Sequence, residues 1–125
     1  MLKEGMELVI EKTVNENETA AKVASGALEV FSTPMLIAFM ENTAFQLAQG
    51  ELSDELTTVG TSVNIKHLKA NLVGDKLLCK AVLLKVDGKK LGFSVKVTHD
   101  GITVGEGEHN RYIINTAEFL AKLKG

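Results

Sequence analysis

Three residues in this chain could do chemistry together: Thr33, Glu41 and His67. Glu41 follows an unbroken apolar run from Met35 to Met40, inside a stretch that reads as one helix from Thr33 to about Gln49. At ~100° per residue it shares its face with Ile37, Ala38, Ala44, Phe45 and Ala48. Asn42, Gln46 and Gln49 form a polar stripe elsewhere. A carboxylate on an apolar face is paired, sits at a solvated rim, or has a task. Thr33 stands at the helix start, where it can cap the free backbone N–H groups, with Pro34, the only proline, at the first helical position.

His67 lies on a segment of period two, Thr57 to Leu68, and shares parity with Val59, Thr61, Val63 and Ile65. That face is expected to look at the helix. A lone histidine there is ordinarily structural. With Glu41 and Thr33 it becomes a candidate acid–base or nucleophilic set, which requires Glu41 and His67 to approach, within one subunit or across a dimer seam. Gly60, inside the same strand, marks either close approach of a ligand or another backbone, or a bulge. Arg111 shares parity with His109 and Ile113 and is either an anchor for an anionic group or a surface arginine.

Other chemistries fit worse. The three histidines show no metal-ligand spacing, and no metal or cofactor is expected. Gly105 and Gly107 sit in strand context without a following helix, so they make no phosphate loop, and no nucleophile elbow occurs. Cys79, the only cysteine, alternates with Leu77 and Ala81 and reads as core; no internal disulfide is possible. A net charge of −2 argues against nucleic acid as a partner. No apolar run approaches the ~20 residues of a membrane span, and no signal segment opens the chain, so a cytoplasmic protein away from membranes is expected.

The elements that must position these residues follow from patterning. The 125 residues, 45% apolar, suit one domain spanning 1–125. Met6 to Val14 alternates as a first strand. Asn15 to Glu18 breaks it, and Thr19 to Leu28 fits a strand, a turn or a loop equally. After the helix, Gly50 suits its C-terminal stop. Strands then run over Thr57–Leu68, Lys76–Val86, about Leu91–Thr98 and Ile102–Ile114, with turns at Asp87-Gly88 and Asp100-Gly101. Leu77, Cys79, Ala81 and Leu83, and then Leu91, Phe93, Val95 and Val97, should face inward. Thr116 to Lys124 reads as a terminal helix capped by Thr116, with Phe119, Leu120 and Leu123 on its apolar side. A helix segregated from a meander argues α+β with an antiparallel sheet of about five strands. One such sheet leaves part of the greasy helix uncovered, so self-association is expected.

These residues carry a resemblance. Phe31-Ser32-Thr33-Pro34 leading to Phe39-Met40-Glu41, then Val59-Gly60-Thr61 to Ile65-Lys66-His67, then Gly105 to Ile114 with His109-Asn110-Arg111, resemble in order and spacing the hotdog-fold thioesterases, in the branch of the fluoroacetyl-CoA thioesterases and their relatives. The likeness spans roughly Ala20 to Phe119. It implies a hotdog fold, a long helix wrapped by an antiparallel sheet, with two subunits pairing into one continuous sheet and acyl-CoA sites at the homodimer interface, in dimers that can pair again. It implies Thr33, Glu41 and His67 as the catalytic set and Gly60 and Arg111 as substrate-binding positions. Nothing marks a pocket selective for a fluorinated acyl group.

The expected activity is hydrolysis of an acyl-CoA thioester. Glu41 would act as base or direct nucleophile, His67 would serve the developing oxyanion or the departing sulfur, and Thr33 would orient them. Lys66, Lys69 and Arg111 are candidates for the CoA phosphates. The alternative is a non-catalytic acyl-CoA or small-ligand binding module on the same fold. A hydratase is disfavoured, because no Asp–His pair lies close in sequence on the helix.

Overall fold

The computed structural model describes residues 1–125. Five antiparallel strands form one sheet in the order β1 (Glu7–Thr13), β3 (Lys76–Asp87), β4 (Lys90–His99), β5 (Ile102–Asn115) and β2 (Leu56–His67). The long helix α1 (Thr33–Gln49) packs across one face, and a short helix α2 (Thr116–Lys124) ends the chain. The α+β expectation holds, and the core is where parity placed it. Leu77, Cys79, Ala81 and Leu83 of β3 and Leu91, Phe93, Val95 and Val97 of β4 are all buried against Leu36, Phe39, Met40, Ala44, Leu47 and Ala48 of α1. Asp87-Gly88 and Asp100-Gly101 are the tight turns. Gly88 (φ 60°), Asp100 (φ 49°) and Gly101 (φ 77°) all take the left-handed backbone such hairpins need.

Both helix caps lie one residue earlier than expected. Ser32, not Thr33, caps α1, accepting the Met35 N–H on its hydroxyl. Asn115, not Thr116, caps α2. Gly50 does end α1, but in right-handed backbone at φ −60°, so no left-handed stop is needed there. The apolar side of α2 is not buried within this chain: Phe119, Leu120 and Leu123 all remain exposed.

Residues 14–32 form neither strand nor long helix. They are an ordered connection that seats the start of α1. Asn15 and Glu18 make a reciprocal capping box on a single 3₁₀ turn, Glu16–Glu18. The buried Glu18 carboxylate also pairs with Lys12, whose ammonium lies 5.9 Å from the ring centres of both Phe31 and Phe39. Phe31 N–H donates to the Asn71 carbonyl and Ser32 N–H to the Glu18 carbonyl, so the residues just before Thr33 are fixed from two sides.

The strand β2 corrects the parity reading. A register shift between Gly60 and Ser62 leaves Thr61 as an extra residue opposite β5. Before it, Thr58 and Gly60 face the helix. After it, Ile65 and His67 do. Val59 and Thr61 are therefore not on the His67 face, Gly60 adjoins a bulge, and the groups that crowd it are the side chains of Glu41, His109 and Arg111. Across the same pair of strands, a Cβ on Gly107 would fall 2.6 Å from Ile65 Cα and 2.8 Å from Ile65 Cγ2, so β5 has no room for a side chain there. Gly107→Ala should cost at least ~2 kcal/mol of stability, the range of forced overpacking. A denaturant midpoint equal to wild type would show that β2 can shift to accept it.

Candidate functional site

The structure brings the candidate residues together in two groups. Thr33, in the first turn of α1, meets His67 at the end of β2: Thr33 Oγ1 and His67 Nδ1 are 2.8 Å apart. Because Ser32 takes the capping duty, the Thr33 hydroxyl is free for the histidine. The other ring nitrogen of His67, Nε2, is buried and has no hydrogen-bond partner. A buried polar atom without a partner costs free energy and calls for a reason. Burial lowers the His67 pKa, with a backbone contact at Lys69 working the other way, which favours the neutral ring. Thr33, His67, Leu68, Lys69 and Ala70 line a shallow cleft of about 230 Å³.

Glu41 lies elsewhere. Its carboxylate sits against Gly60, where an added Cβ would be 3.1 Å from Glu41 Oε2, 3.2 Å from the His109 ring and 3.4 Å from Arg111 Nη1. Within the chain it makes no hydrogen bond or ion pair. Thr33 and Glu41 are about 12 Å apart along the helix axis at 1.5 Å per residue. Gly60 and His67 are roughly 20 Å apart along the strand at ~3.3 Å per residue. Glu41 and His67 therefore do not meet within one subunit.

Arg111 is not a surface arginine. It is 8% exposed, stacked over Phe45 at 5.6 Å, and its nitrogens are committed. Nε donates to Thr58 Oγ1 at 2.7 Å, Nη2 to the Thr58 carbonyl at 3.0 Å, and Nη1 lies 3.1 Å from His109 Nε2. Burial lowers the pKa of this guanidinium and the nearby Glu41 opposes that. So deep a cation cannot reach solvent-side phosphates. Lys66 and Lys69 are exposed, and Lys69 borders the Thr33–His67 cleft.

Sequence reasoning missed His109 and Thr58 as members of the site. His109 is 1% exposed, between Phe93 and Arg111, and shares the parity of Arg111, which was the available signal. Thr58 was hidden by the bulge. Burial is the main cause lowering the His109 pKa, as it is for His67. Both rings therefore bind protons more readily in the unfolded chain. Their contribution to stability is full above about pH 6.5, the unfolded value, and is lost as pH falls through their lower folded values. Urea midpoints should drop between about pH 7 and 5.5, and His109→Gln should flatten that drop. An unchanged slope would mean that His109 is not held neutral.

The family model described as fluoroacetyl-CoA-specific thioesterase matches residues 14–117. The chain belongs to that family. Among its relatives, the fluoroacetyl-CoA thioesterase of Streptantibioticus cattleyicolor is 30% identical over 97 residues, covering 77% of this chain and 69% of the relative. Membership of the fluoroacetyl-CoA-specific thioesterase family makes this chain a thioester hydrolase. The fold is that of solved hotdog proteins. A solved fluoroacetyl-CoA thioesterase superposes with a TM-score of 0.92 at 23% identity, covering 99% of this chain and 96% of that one. A thioesterase-superfamily protein of Thermus thermophilus superposes with a TM-score of 0.89 at 22% identity, covering 98% and 90%. No helix of the chain is long and apolar enough to cross a membrane.

Proposed function

We propose that this chain hydrolyses acyl-CoA thioesters at two equivalent sites of a homodimer. Each site would join Thr33 and His67 of one protomer to the partner's Glu41, Gly60 and Arg111. The observation that carries this reading is the divided site: a buried, unpartnered His67 Nε2 at one end of β2 and an unpaired Glu41 carboxylate at the other. The cleft beside Thr33 is also smaller than the ~300–1,000 Å³ of ordinary small-molecule sites, so it needs a second wall.

The free edge of the sheet supplies one. The strand β2 pairs only with β5, leaving its other side open. Residues directly opposite each other in an antiparallel pair point to the same face. A two-fold axis through Asn64 obeys this rule. It sets Val63 against the partner's Ile65 and His67 against the partner's Gly60–Thr61 bulge. The two half-sites then face each other twice, and the pairing covers Val63, a large apolar residue exposed on the edge.

In the assembled site the Thr33 hydroxyl donates to His67 Nδ1, leaving the ring proton on Nε2. A small turn of the ring that uncovers Nε2 would let that N–H donate to the thioester oxygen as negative charge develops on it. Glu41 either takes a proton from water attacking the carbonyl carbon or attacks that carbon itself. In the second route the carbonyl carbon–sulfur bond breaks, a mixed anhydride of the acyl group and Glu41 forms, and CoA leaves as the thiolate. Water then returns the free acid and the Glu41 carboxylate. Arg111 lies at the depth of the acyl end, beside Gly60, while Lys69 stands at the mouth, where the CoA phosphates would lie.

Thiol release measured across short, branched, aromatic and long acyl-CoAs tests the activity. Saturable hydrolysis of at least one class is expected. Binding without thiol release from any of them would return the reading to a binding module. Lys69→Ala should raise KM several-fold with little change in kcat, because a phosphate contact is made equally in ground and transition states. An unchanged KM would remove Lys69 from CoA binding.

A further inference from the structure

We propose that His109 is a positioning residue that holds Arg111 in place by presenting an unprotonated Nε2 to it. The argument is one of donors and acceptors. A guanidinium can only donate hydrogen bonds. Arg111 Nη1 is 3.1 Å from His109 Nε2, so that nitrogen must be the acceptor and carry no proton. The ring proton is then on Nδ1, and it donates to the Ser62 carbonyl at 2.8 Å, the acceptor this arrangement requires. Both ring nitrogens are satisfied in one tautomer of the neutral ring and in no other state. Protonation would set a second donor against Arg111 beside an existing positive charge. Reversing the tautomer would leave two donors facing each other at Nη1 and two acceptors facing each other at Ser62.

The other contacts of Arg111 show what this hold does. Thr58 fixes Nε and Nη2 through a hydroxyl and a carbonyl. Nη1 is the remaining corner of the fork, and it is the one nearest Gly60 and the Glu41 carboxylate. His109 sets the direction of that corner. The ring itself is 1% exposed and stacked on Phe93 at 6.4 Å between centres, so it is not free to turn. It also ties Arg111 to the residue just past the bulge, coupling the guanidinium to the geometry of the β2 edge. His109 thus acts through Arg111 rather than on the substrate.

The kinetic part of this inference rests on the thioesterase reading; the tautomer does not. Two substitutions divide the ring's functions. His109→Gln places an amide oxygen near the former Nε2 and keeps the acceptor for Arg111. His109→Asn keeps a donor for Ser62 but reaches no further. Loss of a hydrogen bond to a charged group corresponds to about tenfold to a hundredfold. His109→Asn should lose that much kcat/KM, and His109→Gln should recover to within about threefold of wild type. Equal losses in the two variants would overturn the proposal. On the wild-type protein, long-range ¹H–¹⁵N correlation of the imidazole at neutral pH should show the Nδ1–H tautomer. An Nε2–H tautomer or an imidazolium would overturn it whether or not the chain hydrolyses any thioester, whereas the Nδ1–H tautomer with no thiol release would fault only the activity.

Discussion

Glu41→Gln should lower kcat for thiol release by roughly a hundredfold to ten-thousandfold, the usual span for a lost acid–base group, and leave the fold intact. The carboxylate sits at the bottom of the Gly60 gap with no hydrogen bond or ion pair in its own chain, so replacing it by an amide of the same size removes no structural contact. It does remove the one negative charge that acts on the buried Arg111 guanidinium, so the melting temperature should fall modestly while the fold is kept. Circular dichroism should match wild type while activity collapses. His67→Ala should lose a comparable factor and Thr33→Ala less. Because the three would act as a unit, Glu41→Gln combined with His67→Ala should cost much less than the product of the separate losses. A well-folded Glu41→Gln protein with near-normal kcat would exclude this residue from the chemistry.

Mixing two inactive proteins should restore activity. If each site takes Glu41 from one protomer and His67 from the other, a heterodimer of Glu41→Gln with His67→Ala has one doubly altered site and one intact site. Random re-pairing after subunit exchange makes half the dimers mixed, so about a quarter of wild-type activity should return. A site contained within one protomer predicts no recovery, since every site would still carry one lesion. Exchange can be followed independently by mass-tagged subunits, so absent activity with proven mixing would refute the shared site. A stable, fully active monomer in light scattering would refute it as well.

Much of the frame was legible in the residues. Period-two runs found the buried faces of β3 and β4, because a strand with one buried face must alternate. Gly88 and Gly101 marked the hairpins, because their backbone needs φ values that side chains disfavour. The extent of α1 was legible for the same kind of local reason. What was hidden depended on long-range partners. Ser32 and Thr33 offer equivalent capping oxygens, and the choice is settled by His67, which occupies the Thr33 hydroxyl from a distant strand. The Arg111–Thr58 pairing joins residues 53 apart in sequence, and its parity was masked by one extra residue in β2. The separation of Glu41 from His67 within the subunit was likewise invisible, because face analysis gives direction around an element but not position along it.

That extra residue makes β2 a strand read in two frames, joined at Thr61. Deleting Thr61 would bring the frames into phase. Thr58, Gly60, Ile65 and His67 would then share one face of a regular strand, and what would be lost is the bend and added twist that the bulge sets between the Gly60 end and the His67 end. Chain length at this one point therefore governs how the two ends of the pocket are angled toward each other, not which residues line it.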